Sequence, residues 1–321
     1  MNTLNVSTNY YAKYLKYKTK YVLLKKQKGG DSQFKNIKYL GQGAENYAFQ
    51  LEHGQILRIR KNCERLGESE NNVLTELAGK TIKHFIKVFS KGNCFDLRDK
   101  LSDQVTEFCE LNNLETASLC NYDYVIMNNA EGTNLLNYTT KTFSEQLQLP
   151  DINVIDKQLI TNHKKLLINF FQKITIGLID ANTQLNGFKH KDLNYRNCYI
   201  DINLEPIIFD FGASLIGFGS IETNSSDILD FITDILSDST IDTNEFAYGI
   251  TTFKDLSKGE KDIIKSNYYK LTNMIRSDEQ INQFIIKYFN ENKTSFGGIR
   301  LSIKLNVTLD QINQDLLSIN Y

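Results

Sequence analysis

The stretch FKHKDLNYRNCYIDINLEPIIFDFGAS, from Phe188 to Ser214, contains the oxygen-bearing side chains of Asp192, Asn197 and Asp210. Asp192 is followed five positions later by Asn197, and thirteen positions after that by Asp210. The segments CYIDI and PIIFD flank a Leu-Glu-Pro turn, a pattern that predicts a short hairpin. Such a hairpin would return Asp210 close to Asn197.

Carboxylate and amide oxygens of this kind suit a magnesium-bound triphosphate, because Mg²⁺ takes few protein ligands and shares the phosphates. A hydroxyl nucleophile also needs a nearby carboxylate to accept its proton, and Asp192 could serve in that role. The residues therefore predict Asp192 as catalytic and Asn197 and Asp210 as metal ligands.

HKDLNYRN resembles the protein-kinase catalytic loop H-R-D-L-x-x-x-N, with Lys191 in place of Arg, and Asp210-Phe211-Gly212 matches D-F-G. The spacing and order agree with the family. The resemblance implies a protein-kinase-like fold, ATP and Mg²⁺ as cofactors, and two lobes that close over the nucleotide. Arg196 has the place of an Arg in tyrosine-kinase loops, where it faces the transferred phosphoryl group, and we expect it to offset charge there.

The same resemblance assigns residues upstream. YLGQGAENYAF supplies Gly41 and Gly43 for a phosphate-binding loop, although GAEN is closer to aminoglycoside and choline kinases. The strand that should carry the phosphate-binding Lys reads ILRIRK, and Arg58 is expected to replace that Lys, with Arg60 as the alternative.

The partner of that cation is expected on a helix of the same lobe. Glu70 precedes Val73 and Leu77 at helical spacing, while Glu76 and Glu68 are alternatives.

YVIMNNAEGTNLL resembles the hinge between kinase lobes. Met127 takes the gatekeeper position, and Asn128 to Ala130 would offer backbone groups to adenine.

Asp227, in SSDILDF, resembles the helix Asp that holds the kinase catalytic loop from behind. It follows Asp210 by only seventeen positions, and no Ala-Pro-Glu intervenes, so an extended activation loop with a peptide-docking platform is not expected.

Short alternating apolar runs before Asn129 predict strands, and the pattern turns helical from Lys157 onward. The predicted fold class is α+β and bilobal: a small antiparallel-sheet lobe with one helix at residues 34–128, and a larger helical lobe at 129–321. The last ~80 residues are expected to be helical.

Residues 1–30 are rich in Tyr and Lys and end at Gly29-Gly30, which predicts one basic helix. This helix could contact an anionic surface or cap the domain. The segment also resembles N-terminal stretches of many giant DNA virus proteins.

The 321 residues carry a formal net charge of −1, which gives no global attraction to nucleic acid. Five scattered cysteines without a CxxC pair favour a reducing compartment over a disulfide framework or zinc cluster. With no long apolar run and no secretory h-region, we expect a cytoplasmic protein, in host cytoplasm or virion if viral.

The sequence thus predicts a Mg-ATP-dependent phosphotransferase acting on a hydroxyl, first an atypical serine/threonine-type protein kinase. One alternative is a small-molecule kinase of the same fold. The other is an ATP-binding interaction module, because the phosphate-binding Lys is missing.

Overall fold

The structure, a computed structural model, describes residues 38–42, 46–60, 68–93, 123–150, 152, 156–217, 225–237, 246, 250, 253–293, 299–304 and 307–320. The predicted N-terminal helix in residues 1–30 lies outside these residues. The chain divides into two compact units: Met1–Arg65 with Phe89–Asn128, and Leu66–Val88 with Asn129–Tyr321.

The first unit carries a five-stranded sheet, ordered β1-β2-β3-β5-β4. Its strands are β1 (Lys38–Gln42), β2 (Asn46–Gln50), β3 (Gln55–Arg60), β4 (Val88–Asn93) and β5 (Asp123–Asn128). The pairs β1–β2, β2–β3 and β3–β5 are antiparallel. A 3₁₀ turn at Glu52–Gly54 joins β2 to β3.

Alternation along β3 determines which side chains enter the core. Leu57 and Ile59 are fully buried on one face, and Arg58 is half-buried on the other. Successive side chains of a strand point to opposite faces, so the apolar pattern sets the direction of the arginine.

The predicted first lobe, residues 34–128, differs from the observed division, since Leu66–Val88 belong to the second unit. Within that unit, the segment after helix α1 (Glu68–Leu77) is bonded to β9 (Pro206–Ile208). Ile86 N donates to Ile208 O at 2.9 Å, and Ile208 N donates to His84 O at 2.7 Å. These backbone bonds join partners far apart in sequence, which periodicity cannot reveal.

The second unit is rich in helices. Short helices α2 (Leu135–Thr142) and α3 (Ser144–Leu147) precede the long helix α4 (Lys157–Gln184). Its apolar side chains Leu167, Phe170, Ile174 and Leu178 are buried, whereas Leu166 and Ile179 are half-buried. Asp156 caps its N-terminus by accepting from Gln158 N at 2.8 Å.

Two small sheets follow α4. One has the order β6-β8-β9, with β6 (Thr133–Asn134) and β8 (Cys198–Ile200), and the other pairs β7 (Phe188–Lys189) with β10 (Leu215–Ile216). The β8–β9 pair is antiparallel, with Cys198 opposite Ile208, so the predicted hairpin is confirmed. Asp201 Oδ1 accepts from Asn203 N and Glu205 N in its turn, both at 2.8 Å.

The rest of the chain contains helices α5 (Ser225–Leu236), α6 (Lys258–Arg276), α7 (Glu279–Tyr288) and α8 (Leu309–Ser318). Between α7 and α8 lies an antiparallel pair that the helical prediction missed, β11 (Phe289–Lys293) with β12 (Ile299–Ile303). This correction has a physical reason. The pair packs β12 against α5, and such long-range burial overrides local helical preference.

The expectation of a mixed α and β chain, with a small antiparallel sheet and many helices, is confirmed. Across the described ranges, no helix combines the length and apolarity that a bilayer span requires.

Candidate active site

Asp227 holds the loop that runs from His190 to Asn197. Its Oδ2 accepts from His190 N at 2.6 Å and its Oδ1 accepts from Lys191 N at 2.9 Å. Lys191 has φ of 64°, a left-handed backbone that costs about 1 kcal/mol or more in residues other than glycine. The two hydrogen bonds offset that strain, and they confirm the support predicted for Asp227.

The same carboxyl group is 2% exposed. Burial raises the pKa of Asp227 to about 6, and the two backbone N–H donors act in the opposite direction. Asp227 therefore ionises near neutral pH while both oxygens remain engaged with the loop.

His190 is a buried support for the loop. Burial lowers its pKa, so the ring is neutral, and Nε2 lies 3.1 Å from Phe209 O. A carbonyl only accepts, so Nε2 carries the proton. Ser214 Oγ donates to His190 O at 3.2 Å, which ties the segment after β9 to the loop.

Asp192 presents an exposed carboxylate with both oxygens hydrogen-bonded. Asn194 Nδ2 donates to Oδ1 at 2.9 Å, and Asn197 Nδ2 donates to Oδ2 at 3.0 Å. Hydrogen bonds to a charged oxygen are stronger than those between neutral groups. The two amides therefore define the plane of the Asp192 carboxylate.

The orientation of the Asn197 amide follows from its neighbours. Its Nδ2 also donates to Asp192 O at 2.8 Å, so both contacts are to groups that accept. The carbonyl Oδ1 must then point away from Asp192, and no donor among the described residues bonds to it. Asn197 is thus held with one buried amide and one available oxygen.

The β8–β9 hairpin brings the backbone just before Asp210 to the backbone of Asn197. Phe209 N donates to Asn197 O at 3.0 Å, and Asp210 follows directly. Asp210 is exposed with φ of 63°, a conformation that Asp tolerates better than most residues. The left-handed turn separates an exposed carboxylate from the buried residue after it.

That buried residue is Phe211, which anchors the turn in an aromatic cluster. Its ring stacks on Phe85 with centroids 5.5 Å apart, and it meets Phe188 edge-on at 6.4 Å. Phe85 and Phe188 also meet edge-on at 5.3 Å. Packed aromatic pairs of this geometry have a directional preference, so the cluster restrains the turn that carries Asp210.

Asn197 and Asp210 are chemically suited to a magnesium ion. The amide Oδ1 and the exposed carboxylate are oxygen donors, and Mg²⁺ is held by one or two such groups together with phosphates and water. The described residues contain no cluster of three or more His, Cys, Asp or Glu side chains placed around a metal.

Arg196 lies exposed at the end of the loop, with its guanidinium carbon 5.4 Å from the centre of the Tyr195 ring. Its charge acts on Asp234 of α5. Burial and the nearby Asp230 and Asp192 raise the pKa of Asp234 to about 6, and Arg196 lowers it. The surface beside Asp192 thus carries both signs of charge.

Among the described residues, four predicted nucleotide contacts lie in the first unit: Gly41, Arg58, Met127 and Asn128. Gly41 has φ of 152° beside an irregularity in the β1–β2 ladder, and a Cβ there would meet no atom within 4 Å. Arg58 lies opposite Ala48 and Val125. Gly43 and the side chain of Arg60 lie outside the described part.

Met127 and Asn128 end strand β5. Met127 is 5% exposed and lies opposite Ile56, whereas Asn128 is exposed and lies opposite Gln55. Ala130 follows in the second unit, half-buried. The strand therefore ends where the predicted hinge begins.

The two described Glu alternatives on α1 differ in environment. Glu70 is 4% exposed, on the same side as Val73 and Leu77. Glu76 is exposed and pairs with Lys80 at 3.0 Å. Buried glutamates normally have a partner, so burial favours Glu70 over Glu76 as a functional carboxylate. The structure describes no side chain for Glu68.

Sequence reasoning missed Asn194, Ser214 and Phe85. Asn194 lies two residues after Asp192, the spacing at which an Asn side chain often bonds its neighbours' backbone, and this signal was available. Ser214 and Phe85 act through long-range contacts that carry no local signal.

Comparison of the chain with models of known protein families and with curated protein sequences yields no match.

Proposed function

We propose that the protein is a Mg-ATP-dependent phosphotransferase with a protein-kinase-like bilobal fold, and that its acceptor is a hydroxyl group. The observation that carries this proposal is the Asn197 amide, whose Nδ2 donates to Asp192 O and Oδ2 at 2.8 and 3.0 Å. One side chain thereby orients a carboxylate and keeps its own Oδ1 without a donor among the described residues. A base and two metal ligands in this relation suit phosphoryl transfer.

In the proposed reaction, the acceptor oxygen forms a bond to the γ-phosphorus as the bond to the β,γ-bridging oxygen breaks, and ADP leaves. The hydroxyl proton passes to the Asp192 carboxylate, which Asn194 and Asn197 hold in orientation. Mg²⁺ bound through Asn197 and Asp210 would neutralise phosphate charge. Arg196 adds positive charge at the same loop.

The contacts predicted for the nucleotide belong to the same proposal. They are Gly41, Gly43, Arg58, Glu70, Met127, Asn128 and Ala130. Arg58 supplies a permanent cation with bidentate geometry for phosphate, which supports activity without the usual Lys.

An atypical serine/threonine-type protein kinase is the first candidate. Its support is Asp227, which accepts from two consecutive backbone N–H groups in the manner that the protein-kinase resemblance implies.

A small-molecule kinase is the second candidate, and a different observation favours it. β10 ends at Ile216 and pairs with β7 soon after Asp210, and α5 begins at Ser225. The chain between them is short, which leaves few residues for a platform that would bind a peptide.

The deciding experiment incubates the protein with γ-labelled ATP and Mg²⁺ in a cell extract, then separates protein from low-mass products by dialysis. Asp192→Ala is the test variant, and Asp262→Ala on the exposed face of α6 is the matched control. Label in protein that requires Asp192 supports a protein kinase. Label confined to low-mass products supports a small-molecule kinase.

Equal labelling by wild type and Asp192→Ala, or none by either, overturns the phosphotransferase proposal. Nucleotide binding without turnover would then identify an ATP-binding interaction module.

A further inference from the structure

Asn194 joins the Asp192 side chain to the loop backbone. Its Oδ1 accepts from Arg196 N at 2.8 Å, and its Nδ2 donates to Asp192 Oδ1 at 2.9 Å and to Asp192 O at 3.2 Å. The backbone N–H of Arg196 can only donate, so the amide has one permitted orientation. Its NH₂ group must face Asp192.

The carboxylate would otherwise be mobile, because Asp192 is exposed and its χ2 torsion is broad. Asn197 holds Oδ2 at 3.0 Å from one side, and Asn194 holds Oδ1 from the other. With one amide at each oxygen, rotation about χ2 breaks at least one charge-assisted hydrogen bond. The pair therefore selects one plane for the carboxylate.

We propose that Asn194 is a positioning residue for the reaction, which orients the Asp192 carboxylate toward the acceptor hydroxyl. This inference rests on the proposed function. Asn194 has two separable tasks: its oxygen supports the loop through Arg196 N, and its NH₂ group orients the base. The second task distinguishes a positioning residue from a structural one.

Two substitutions separate the tasks. Asn194→Asp keeps an oxygen for Arg196 N, but it removes the donor to Asp192 and places a second carboxylate beside it. Asn194→Leu removes both contacts. In the positioning role both variants lower kcat, by about tenfold to a hundredfold, because a misplaced reacting group loses its near-attack geometry. KM for ATP stays within about twofold, since uniform binding is unchanged.

The split between kcat and KM is the readout that loop support alone would not give, because a disturbed loop would also weaken the binding of ATP. Asn203→Asp is the matched control: it makes the same change in the β8–β9 turn, beside Asp201, and leaves kcat and KM unchanged. Full activity in Asn194→Asp with loss only in Asn194→Leu would overturn the proposal in favour of loop support.

A measurement without turnover keeps this inference separate from the proposed function. NMR of isotope-labelled aspartate carboxyl carbons, with the Asp192 signal assigned by its loss in Asp192→Asn, follows the base directly. A changed chemical shift for that signal at neutral pH in Asn194→Leu, which removes the donor to Asp192 Oδ1, supports control of Asp192 by Asn194, whether or not ATP is consumed. An unchanged chemical shift overturns that control. Absence of Asp192-dependent turnover in wild type overturns the proposed function.

Discussion

The loop from His190 to Asn197 and strand β3 hold their polar residues in different ways. In the loop, position comes from side chains that bond to backbone: Asp227 accepts from two amides, and Asn194 accepts from a third. In β3, Arg58 is placed by the ladder and by the burial of Leu57 and Ile59 on the opposite face. The conformation of such a loop depends on a few hydrogen-bonding atoms, whereas the position of a strand residue depends on backbone pairing and on the alternation of apolar side chains.

The largest expected effect is at Asp227, because its removal leaves two backbone N–H groups without an acceptor. Asp227→Ala should lower the free energy of unfolding by about 3–4 kcal/mol, at roughly 1–3 kcal/mol for each orphaned group. Urea unfolding at neutral pH measures this change in the free energy of unfolding. Asp262→Ala, exposed on α6, is the control and should change stability by no more than about 0.5 kcal/mol. Equal losses would show that the loop does not depend on Asp227.

Substitution of Arg58 tests how far the position of a residue on β3 is independent of its own side chain. Arg58→Ala should leave unfolding nearly unchanged, because backbone pairing keeps β3 in place, while turnover falls by about a hundredfold. Labelled-ATP assays and urea unfolding on the same preparation measure both. Arg58→Lys retains a cation and should recover part of the activity.

The alternative for the phosphate contact is Arg60. If Arg60→Ala loses turnover and Arg58→Ala retains it, the assignment moves by two residues along the strand.

Gly177 extends the comparison to close packing between α4 and the segment after α1. A Cβ at this position would lie 2.8 Å from Lys83 O and 3.3 Å from His84 Cβ. Gly177→Ala should therefore destabilise the protein by about 1–3 kcal/mol, since the backbone must shift. Gly259→Ala on α6 is the matched control, because no atom lies within 4 Å of its built Cβ. There we expect no loss, or a gain of up to about 1 kcal/mol from lower chain entropy. Thermal or urea unfolding compares the two.

A buried histidine of α4 should make the stability of the protein depend on pH. His163 of α4 is buried, and burial lowers its pKa from 6.5 to about 4. The neutral ring therefore contributes stability above pH 6.5 that is lost as the pH falls toward 4. At a pH of about 5 the loss is about 2 kcal/mol relative to neutral pH.

Urea unfolding across this pH range, with His163→Gln, checks the expectation: the variant should lose that part of the pH dependence. His53→Asn, at an exposed left-handed turn between β2 and β3, is the control and should retain it. An unchanged profile in His163→Gln would assign the acid sensitivity to other groups, such as His190.

Sequence patterns predicted the elements better than the contacts between them. Periodicity located β3, α1 and α4, because the apolar spacing of each element is local information. The segments CYIDI and PIIFD on either side of a Leu-Glu-Pro turn predicted the β8–β9 hairpin, which brings the backbone of Phe209 to Asn197. The β11–β12 pair was missed, since its strands are short and are stabilised by packing against α5.

The sequence by itself determined which residues are available for chemistry and on which elements they lie. Asp192, Asn197, Asp210 and Arg58 could all be named from residue type, order and spacing. Only the tertiary structure decided how the polar atoms face one another: that Asn194 shares the Asp192 carboxylate with Asn197, and that residues 66–88 belong to the second unit. The reason is physical. Hydrogen-bond partners and long-range packing depend on three-dimensional proximity, which local propensity and periodicity do not encode.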